Sequence, residues 1–149
     1  MSLATGSGCG RDHDEQSRAL EWLLAGMMVL WGVGLMMPWD SFGGPTYRHL
    51  AALAAQPVWG AFSLAIGLIR IAALYYNGGW HRTPLLRLLG ALLGTVWWAV
   101  LLWLIWLSAR EAGLPAATFW YPGLIAAELY ACDRTGRDVA RYRSLGGVR

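Results

Sequence analysis

The sequence predicts an all-α integral membrane protein, a four-helix bundle with one short additional helix at its outer surface. The first observation is composition: 56% of the 149 residues are hydrophobic and only 14% are charged, whereas soluble domains carry roughly 25% charged residues. The second is that four stretches have, or nearly have, the roughly 20 apolar residues needed to cross a bilayer. The third is an uneven distribution of arginines about these stretches, which predicts an orientation.

The predicted transmembrane domain covers residues 19–131, and its four spans are 19–38, 57–76, 84–108 and 114–131. Thr83 before Pro84 is typical of an N-cap followed by the first helical residue. The fourth stretch is short and contains Pro122 and Glu128, so a re-entrant or interfacial segment is the alternative there. An acidic cytoplasmic tail, 1–18, precedes the domain, and a basic cytoplasmic tail, 132–149, follows it.

The orientation follows from where the arginines lie. Nine of the twelve basic residues fall on one side of the predicted spans: Arg11, Arg18, Arg82, Arg87, Arg134, Arg137, Arg141, Arg143 and Arg149. Arg48 and Arg110 fall on the other side. Cytoplasmic loops carry the excess of basic residues. We therefore expect the bacterial inner membrane as the location, with both termini in the cytoplasm.

Tryptophans cluster at the predicted membrane surfaces, as in the aromatic belts of membrane proteins. The belt residues on the outer side include Trp39, Trp59, Trp106 and Trp120, and those on the inner side include Trp22 and Trp80. Trp97 and Trp98 lie in the middle of the third span, where each indole N–H either finds a hydrogen-bond partner or stays unsatisfied in hydrocarbon. Packing against neighbouring helices is the favoured interpretation, and contact with a bound pigment, quinone or lipid is the alternative.

The outer loop before the second span predicts a short helix that lies on the membrane surface. Its Pro45 suits the first helical position, and a helix over 46–55 would place one apolar face toward the membrane, formed by Leu50, Leu53 and Ala54. Arg48 and His49 would then face water or lipid headgroups.

Small residues four positions apart occur in two spans, as Gly90 and Gly94 and as Ser63 and Gly67. This spacing opens a groove in which a second helix approaches closely. A contact inside the chain and a contact between copies of the chain explain the spacing equally well.

Arg70 and Glu128 are the charges placed most deeply in the predicted spans. At about 1.5 Å per residue they lie at a similar shallow depth on the cytoplasmic side, so they can form one ion pair between the second and fourth spans. A pair that locks two helices, or an arginine that extends to the headgroups, is the favoured interpretation. The alternative is an ion or proton site, because intramembrane charges are functional candidates.

Motifs of common catalytic chemistry are missing from the sequence. No histidine lies in a predicted span, which excludes an intramembrane bis-histidine haem, and no C-x-x-C, H-E-x-x-H, P-loop or G-x-S-x-G motif occurs. We therefore expect no enzyme activity, no metal and no cofactor. The tail arginines Arg134, Arg137, Arg141 and Arg143 are expected to contact lipid headgroups or a partner. They are too few to indicate nucleic-acid binding.

Residues 38–69, PWDSFGGPTYRHLAALAAQPVWGAFSLAIGLI, carry the order P-x-D-x-F, then P-x-Y-R, then W-G. With the four-span layout, this segment resembles small membrane proteins of proteobacterial phages and prophages. The resemblance implies no catalytic residues, and it makes a role in lysis or in blocking superinfection an expectation. The size is also similar to that of small multidrug transporters, but the acid in mid-helix that those proteins need is absent, since Glu21 lies at the cytoplasmic edge.

These observations favour a non-enzymatic membrane protein that works as an accessory or interaction subunit through helix–helix contacts, encoded by a phage as the resemblance implies. Membrane lipid is its expected partner, together with a second copy of the chain or another membrane protein. The alternative is a small channel, a holin-type pore or a transporter. An enzyme acting on lipid is a third hypothesis, for which the sequence offers no catalytic set.

Overall fold

A computed structural model describes residues 9–79, 84–113 and 115–144, and this part of the chain is helical with no strand. The long helices are α1 (Cys9–Met36), α3 (Gln56–Gly79), α4 (Pro84–Ala112) and α5 (Trp120–Ser144). The short helix α2 (Arg48–Leu53) lies between α1 and α3. Single 3₁₀ turns precede α2 at Pro45–Tyr47 and α5 at Ala116–Phe119. The all-α prediction is confirmed.

Local chemistry explains where α4 and α5 are bounded. Pro84 is the first residue of α4, a position where no internal hydrogen bond is lost to the missing N–H. Gly113 follows the last residue of α4 with φ +84° and donates its N–H to the carbonyl of Ala109 at 2.9 Å. That left-handed backbone conformation favours glycine. Pro122 is the third residue of α5, where the N–H again needs no partner within the helix.

Three helices of the described chain are long and apolar enough to cross a membrane: Arg18–Met36, Gln56–Tyr76 and Leu85–Arg110. The fourth predicted stretch, 114–131, differs from these because its first turn is 3₁₀ and α5 runs thirteen residues past its predicted end, to Ser144. An exposed ion pair one turn apart, between Asp133 and Arg137 at 2.6 Å, supports this charged extension. The predicted basic tail is therefore helical as far as Ser144.

The four long helices pack around one core. α1 lies against α3, α4 lies against α5, and contacts of α3 with α4 and of α1 with α5 close the bundle. Helices α1 and α4 are therefore diagonal to each other, as are α3 and α5. We call the end where α1 begins and α5 ends the tail end, and the end where α2 lies the loop end.

Residues that face the core recur every seven positions on each long helix, as in other four-helix bundles. The series are Glu21, Met28 and Leu35 on α1; Gln56, Ser63 and Arg70 on α3; Arg87, Gly94, Leu101 and Ser108 on α4; and Tyr121, Glu128 and Thr135 on α5. All are buried except the partly exposed Gln56 and Arg87. This repeat brings polar residues from different helices to the same level of the core.

Helix α2 is shorter than the predicted helix over 46–55 and is turned differently. Leu50 is fully buried against the bundle, whereas Leu53 is 66% exposed, so the two leucines do not share one buried face. His49, expected to face water or lipid headgroups, instead places its Nδ1 2.9 Å from the Ser108 hydroxyl. The reason is that α2 packs on the end of α4, and this contact sets the rotation of the short helix.

Gln56 connects the loop after α1 to the start of α3. Its side-chain N–H₂ donates to the carbonyls of Leu35 and Trp39, both at 2.9 Å. Its side-chain oxygen accepts the backbone N–H of Ser41 at 2.8 Å and of Phe42 at 3.1 Å. One amide therefore bonds four backbone groups, two of which, the Ser41 N–H and the Trp39 carbonyl, also bond each other at 3.0 Å.

Candidate functional site

The structure brings Arg70 and Glu128 together in the core. Arg70 Nη2 donates to Glu128 Oε2 at 2.8 Å, and Nη1 pairs with Oε1, so the contact is bidentate. The two side chains are 5% and 0% exposed. Arg70 Nη1 also lies 3.2 Å from the sulfur of Met28. Because α3 and α5 are diagonal, the pair crosses the bundle axis.

Gly90 and Gly94 of α4 face this pair and leave room for it. A Cβ atom at position 94 would overlap Glu128 Oε1 and Arg70 Nη1. At position 90 it would lie 3.4 Å from Arg70 Cγ. The groove predicted from these glycines is therefore filled by the arginine side chain and its partner carboxylate, and not by the backbone of another helix.

Ser63 and Gly67 lie at the contact of α3 with α1. A Cβ atom at Gly67 would come within 2.9 Å of the Val29 backbone nitrogen. The Ser63 hydroxyl is fully buried and donates to the carbonyl of Met28 at 2.9 Å. Both small-residue motifs thus make contacts inside this chain.

A second ion pair, which the sequence interpretation missed, lies toward the tail end. Arg87 donates to Glu21 from Nε at 2.8 Å and from Nη2 at 2.5 Å. Its Nη1 lies 3.8 Å from Asp138 Oδ2. The Thr135 hydroxyl reaches Glu21 Oε1 at 3.5 Å. Glu21 is 3% exposed, so this carboxylate is buried in the bundle instead of lying at its edge.

The signal that could have found the second pair is the seven-residue spacing. Glu21 lies seven residues before Met28, and Arg87 lies seven before Gly94, so both lie two turns, about 10 Å, from the level of Arg70 and Glu128. Since α1 and α4 are diagonal, this pair also crosses the axis. Two crossed ion pairs, one on each diagonal, therefore occupy successive levels of the core.

A small, partly open pocket adjoins both pairs. Its lining includes Glu21 and Arg87 of one pair, Arg70 of the other, and Gly90. It has room for about one water molecule. Charged groups of both pairs therefore reach the same water-sized space.

Aromatic rings form a connected cluster on the loop side of the ion pairs. Trp31 meets Trp97 and Trp98 edge-on at centroid distances of 6.2 and 6.3 Å. Trp97 continues to Trp59 at 5.8 Å, and Trp98 continues to Tyr121 at 5.9 Å. The two mid-span tryptophans thus pack against neighbouring helices, as the favoured interpretation expected.

Of the two possibilities for the indole N–H groups of these tryptophans, the structure has the unsatisfied one. The buried indole nitrogens of both Trp97 and Trp98 lack a hydrogen-bond partner. The Trp98 indole lies beside the Glu128 carboxylate, although the two do not meet hydrogen-bond geometry. The cluster therefore ends against the Arg70–Glu128 pair.

The predicted belt tryptophans lie mainly on the surface of the bundle. The exposed ones are Trp22, Trp39, Trp106 and Trp120, which range from 38% to 76% exposed. Trp59 is half-buried and donates its N–H to the Leu50 carbonyl at 3.0 Å. Trp80 lies outside the described residues.

The tail arginines belong to the charged extension of α5. Arg134 donates to the Tyr130 hydroxyl at 3.4 Å, and the exposed Arg137 pairs with Asp133. Arg141 and Arg143 lie within α5, but their side chains are outside the described part of the structure. No cluster of three metal-ligating side chains occurs among the described residues.

Comparisons of the chain with family models, with curated proteins and with solved structures find no match. The resemblance to phage membrane proteins stays a prediction.

Proposed function

We propose that the chain is a non-enzymatic integral membrane protein with four spans, which acts as an accessory subunit through helix–helix contacts. It would lie in the bacterial inner membrane with both termini in the cytoplasm. The observation that carries this proposal is the inward placement of the core charges. Glu21, Arg70 and Glu128 are at most 5% exposed and pair across the bundle axis, so they leave the outer surface apolar.

The outer surface supports membrane burial on several helices. Exposed apolar side chains on α1, α3 and α4 include Leu30, Ile69 and Val96, which are 69%, 64% and 59% exposed. Covering such a surface with lipid tails or with other apolar helices is favourable, whereas exposing it to water is unfavourable. In a bilayer, the protein would therefore contact a partner through the apolar faces of its helices.

The fourth span is supported by the position of α5 in the bundle. α5 packs along α4, and its Glu128 meets Arg70 of α3. Helices that share a core level share a depth, so α5 lies at the depth of α3 and α4, which are apolar enough to cross a membrane. Exposed Trp120 and Leu129 on α5 suit a lipid-facing helix.

Reporter fusions test the topology. Alkaline phosphatase and a fluorescent protein, fused in turn to each terminus of the full chain, report the periplasm and the cytoplasm. We expect a cytoplasmic signal from both termini. A periplasmic C-terminus would overturn the four-span count.

Site-directed photocrosslinking in living cells tests the helix–helix contacts. A photoreactive residue at Leu30, Ile69 or Val96 samples three outer faces, and one at the fully buried Leu101 is the matched control. We expect a discrete protein adduct from at least one outer face and none from Leu101. Lipid adducts alone from all three faces would contradict the accessory role.

A small channel or holin-type pore is the second candidate, and one observation favours it. The charged and hydroxyl side chains lie along the bundle axis, where a separation of the helices would line a polar path with Ser63, Arg70 and Glu128. Induced expression with a membrane-potential dye distinguishes the candidates. Rapid depolarisation would support the pore and contradict the accessory role, and an unchanged potential would do the reverse.

A further inference from the structure

The last long helix differs from the other three in its ability to enter a membrane. Among the described helices, α1, α3 and α4 contain stretches that are long and apolar enough to cross a membrane, and α5 does not. Glu128 is the charge that interrupts its apolar part, because residues 112–132 carry no other charge. Without this carboxylate, the uncharged stretch would be 21 residues long, which is enough to span a bilayer.

The charge on α3 has a different consequence from the charge on α5. Arg70 lies within Gln56–Tyr76, which is apolar enough to cross a membrane even with this arginine. An unpaired charge within a bilayer is costly, and in the structure Glu128 is 0% exposed and is held by Arg70 through both of its oxygens. The dependence is therefore one-sided, since α5 needs the arginine in order to span, whereas α3 does not need the carboxylate.

The packing of α5 along α4 does not replace this ion pair. The contact includes Trp98 and Tyr121, whose ring centroids lie 5.9 Å apart, but apolar contacts between helices compete with equally apolar lipid tails. The polar contact of Thr95 with the sulfur of Cys132 is long, at 3.9 Å. The bidentate, charge-assisted contact with Arg70 is therefore the strongest contact of α5 that lipid does not supply.

We propose that Arg70 is the insertion determinant of α5: α3 enters the membrane first, and its arginine then receives Glu128, which draws α5 across and carries the C-terminus to the cytoplasm. The order follows from the chain, because α3 precedes α5 and N-terminal segments are synthesised first. Without Arg70, α5 would stay at the outer membrane surface, where the aromatic Phe119 and Trp120, 74% and 76% exposed, suit the interface. This inference rests on the proposed four-span topology.

Glycosylation mapping tests the proposal on the full chain. The chain, with a glycosylation acceptor on a C-terminal extension, is translated in the presence of endoplasmic reticulum membranes, whose lumen corresponds to the periplasm. Only chains that stay in the membrane after alkaline extraction are counted. The acceptor is modified when α5 stays outside the bilayer and is unmodified when α5 spans. The assay reports topology at synthesis, so a variant that later fails to fold is still measured.

The two halves of the ion pair should respond differently. In Arg70→Leu, Glu128 has no partner, and we expect the ratio of modified to unmodified C-termini to rise at least about tenfold over the unchanged chain. In Glu128→Leu, residues 112–132 are uncharged and α3 still spans with its arginine, so the C-terminus should stay unmodified. The double variant should also stay unmodified. An ion pair that only stabilises the finished bundle would make the two single variants alike.

Arg87→Leu is the matched control for the loss of a buried arginine. Arg87 pairs with Glu21 of α1, and α1 is apolar enough to cross a membrane, so this variant should leave the C-terminus unmodified. Equal modification in Arg70→Leu and Arg87→Leu, or in Arg70→Leu and Glu128→Leu, would overturn the inference. So would an unmodified C-terminus in Arg70→Leu. A modified C-terminus in the unchanged chain would instead contradict the four-span topology itself.

Discussion

The two halves of the bundle are held together by different kinds of core. In the tail half, two ion pairs cross the bundle axis, and Gly90 and Gly94 of α4 face one of them, Arg70 with Glu128. In the loop half, Leu50, Leu101 and Ile105 are at most 1% exposed and pack with aromatic rings. In lipid, apolar packing distinguishes helix arrangements poorly, because lipid tails are as apolar as leucine. The ion pairs therefore define which helices are diagonal, and the aromatic half fills the space.

Helix α4 shows the change between halves within two turns. Gly90 and Gly94 lie where the arginine side chain and its partner carboxylate need room, whereas Trp97 and Trp98 follow directly and fill the core themselves. The side chains of α4 are thus small where the opposite helices contribute the long side chains of the ion pair, and large where the core has no ion pair. This comparison predicts that substitutions in the tail half act through charge and space, and that those in the loop half act through packing.

The largest effect is expected from Arg70→Leu. It leaves Glu128 charged, buried and without its guanidinium partner, which costs about 3–5 kcal/mol when one member of a buried pair is removed. Unfolding of the purified protein in mixed detergent micelles, followed by circular dichroism, measures the free energy of unfolding.

The double variant Arg70→Leu and Glu128→Leu is the control for charge. Apolar residues in place of a buried ion pair are often neutral, so the double variant should recover most of the stability lost in Arg70→Leu. If the double variant is as unstable as the single one, the packing of the side chains and not the pairing of the charges holds the tail half together.

A smaller loss, about 2 kcal/mol, is expected from Gly94→Ala, since the added methyl group overlaps both members of the ion pair. Gly26→Ala is the matched control, because no heavy atom lies within 4 Å of a Cβ at that position. The same unfolding measurement should find Gly26→Ala within about 0.5 kcal/mol of the unchanged chain. Equal losses for the two variants would refute the argument that Gly94 makes room for the pair.

The hydrophobic composition and the lengths of the apolar stretches predicted the helical fold, because each residue adds to these two quantities whatever it contacts in the folded chain. The partner of Arg70 was also predictable, since both charges lie in apolar stretches at similar depth. Glu21 and Arg87 were not recognised as a pair because each lies near the end of a predicted span. A charged residue at that position is explained by its place near the membrane surface, so the sequence gives no reason to look for a partner. Their link appears only when the diagonal arrangement of α1 and α4 is known.

The rotation of α2 was not predictable for a similar reason. An amphipathic pattern gives the buried face of a helix relative to a flat surface, but α2 packs against the end of α4. The contact of His49 with Ser108 joins residues 59 positions apart. Only the assembled bundle fixes that contact, so the pattern found the buried Leu50 but not the inward contact of His49.

The smallest effect is expected from Trp98→Phe in the loop half. Trp98 is 1% exposed and its indole N–H has no hydrogen-bond partner. Phenylalanine removes this buried donor, which recovers about 1–3 kcal/mol of desolvation cost, and it also removes ring atoms, which costs a similar amount. The free energy of unfolding should therefore change by less than about 1 kcal/mol.

Trp59→Phe makes this last prediction sharper. Trp59 donates its N–H to the Leu50 carbonyl at 3.0 Å, so the same chemical change there removes a made hydrogen bond, and the carbonyl keeps only the N–H of Ala54 at 3.1 Å. We expect Trp59→Phe to be less stable than Trp98→Phe by about 1 kcal/mol. The reverse order would mean that the Trp98 N–H is satisfied in the membrane, by Glu128 or by a water molecule, and that the polar network of the tail half extends into the aromatic half.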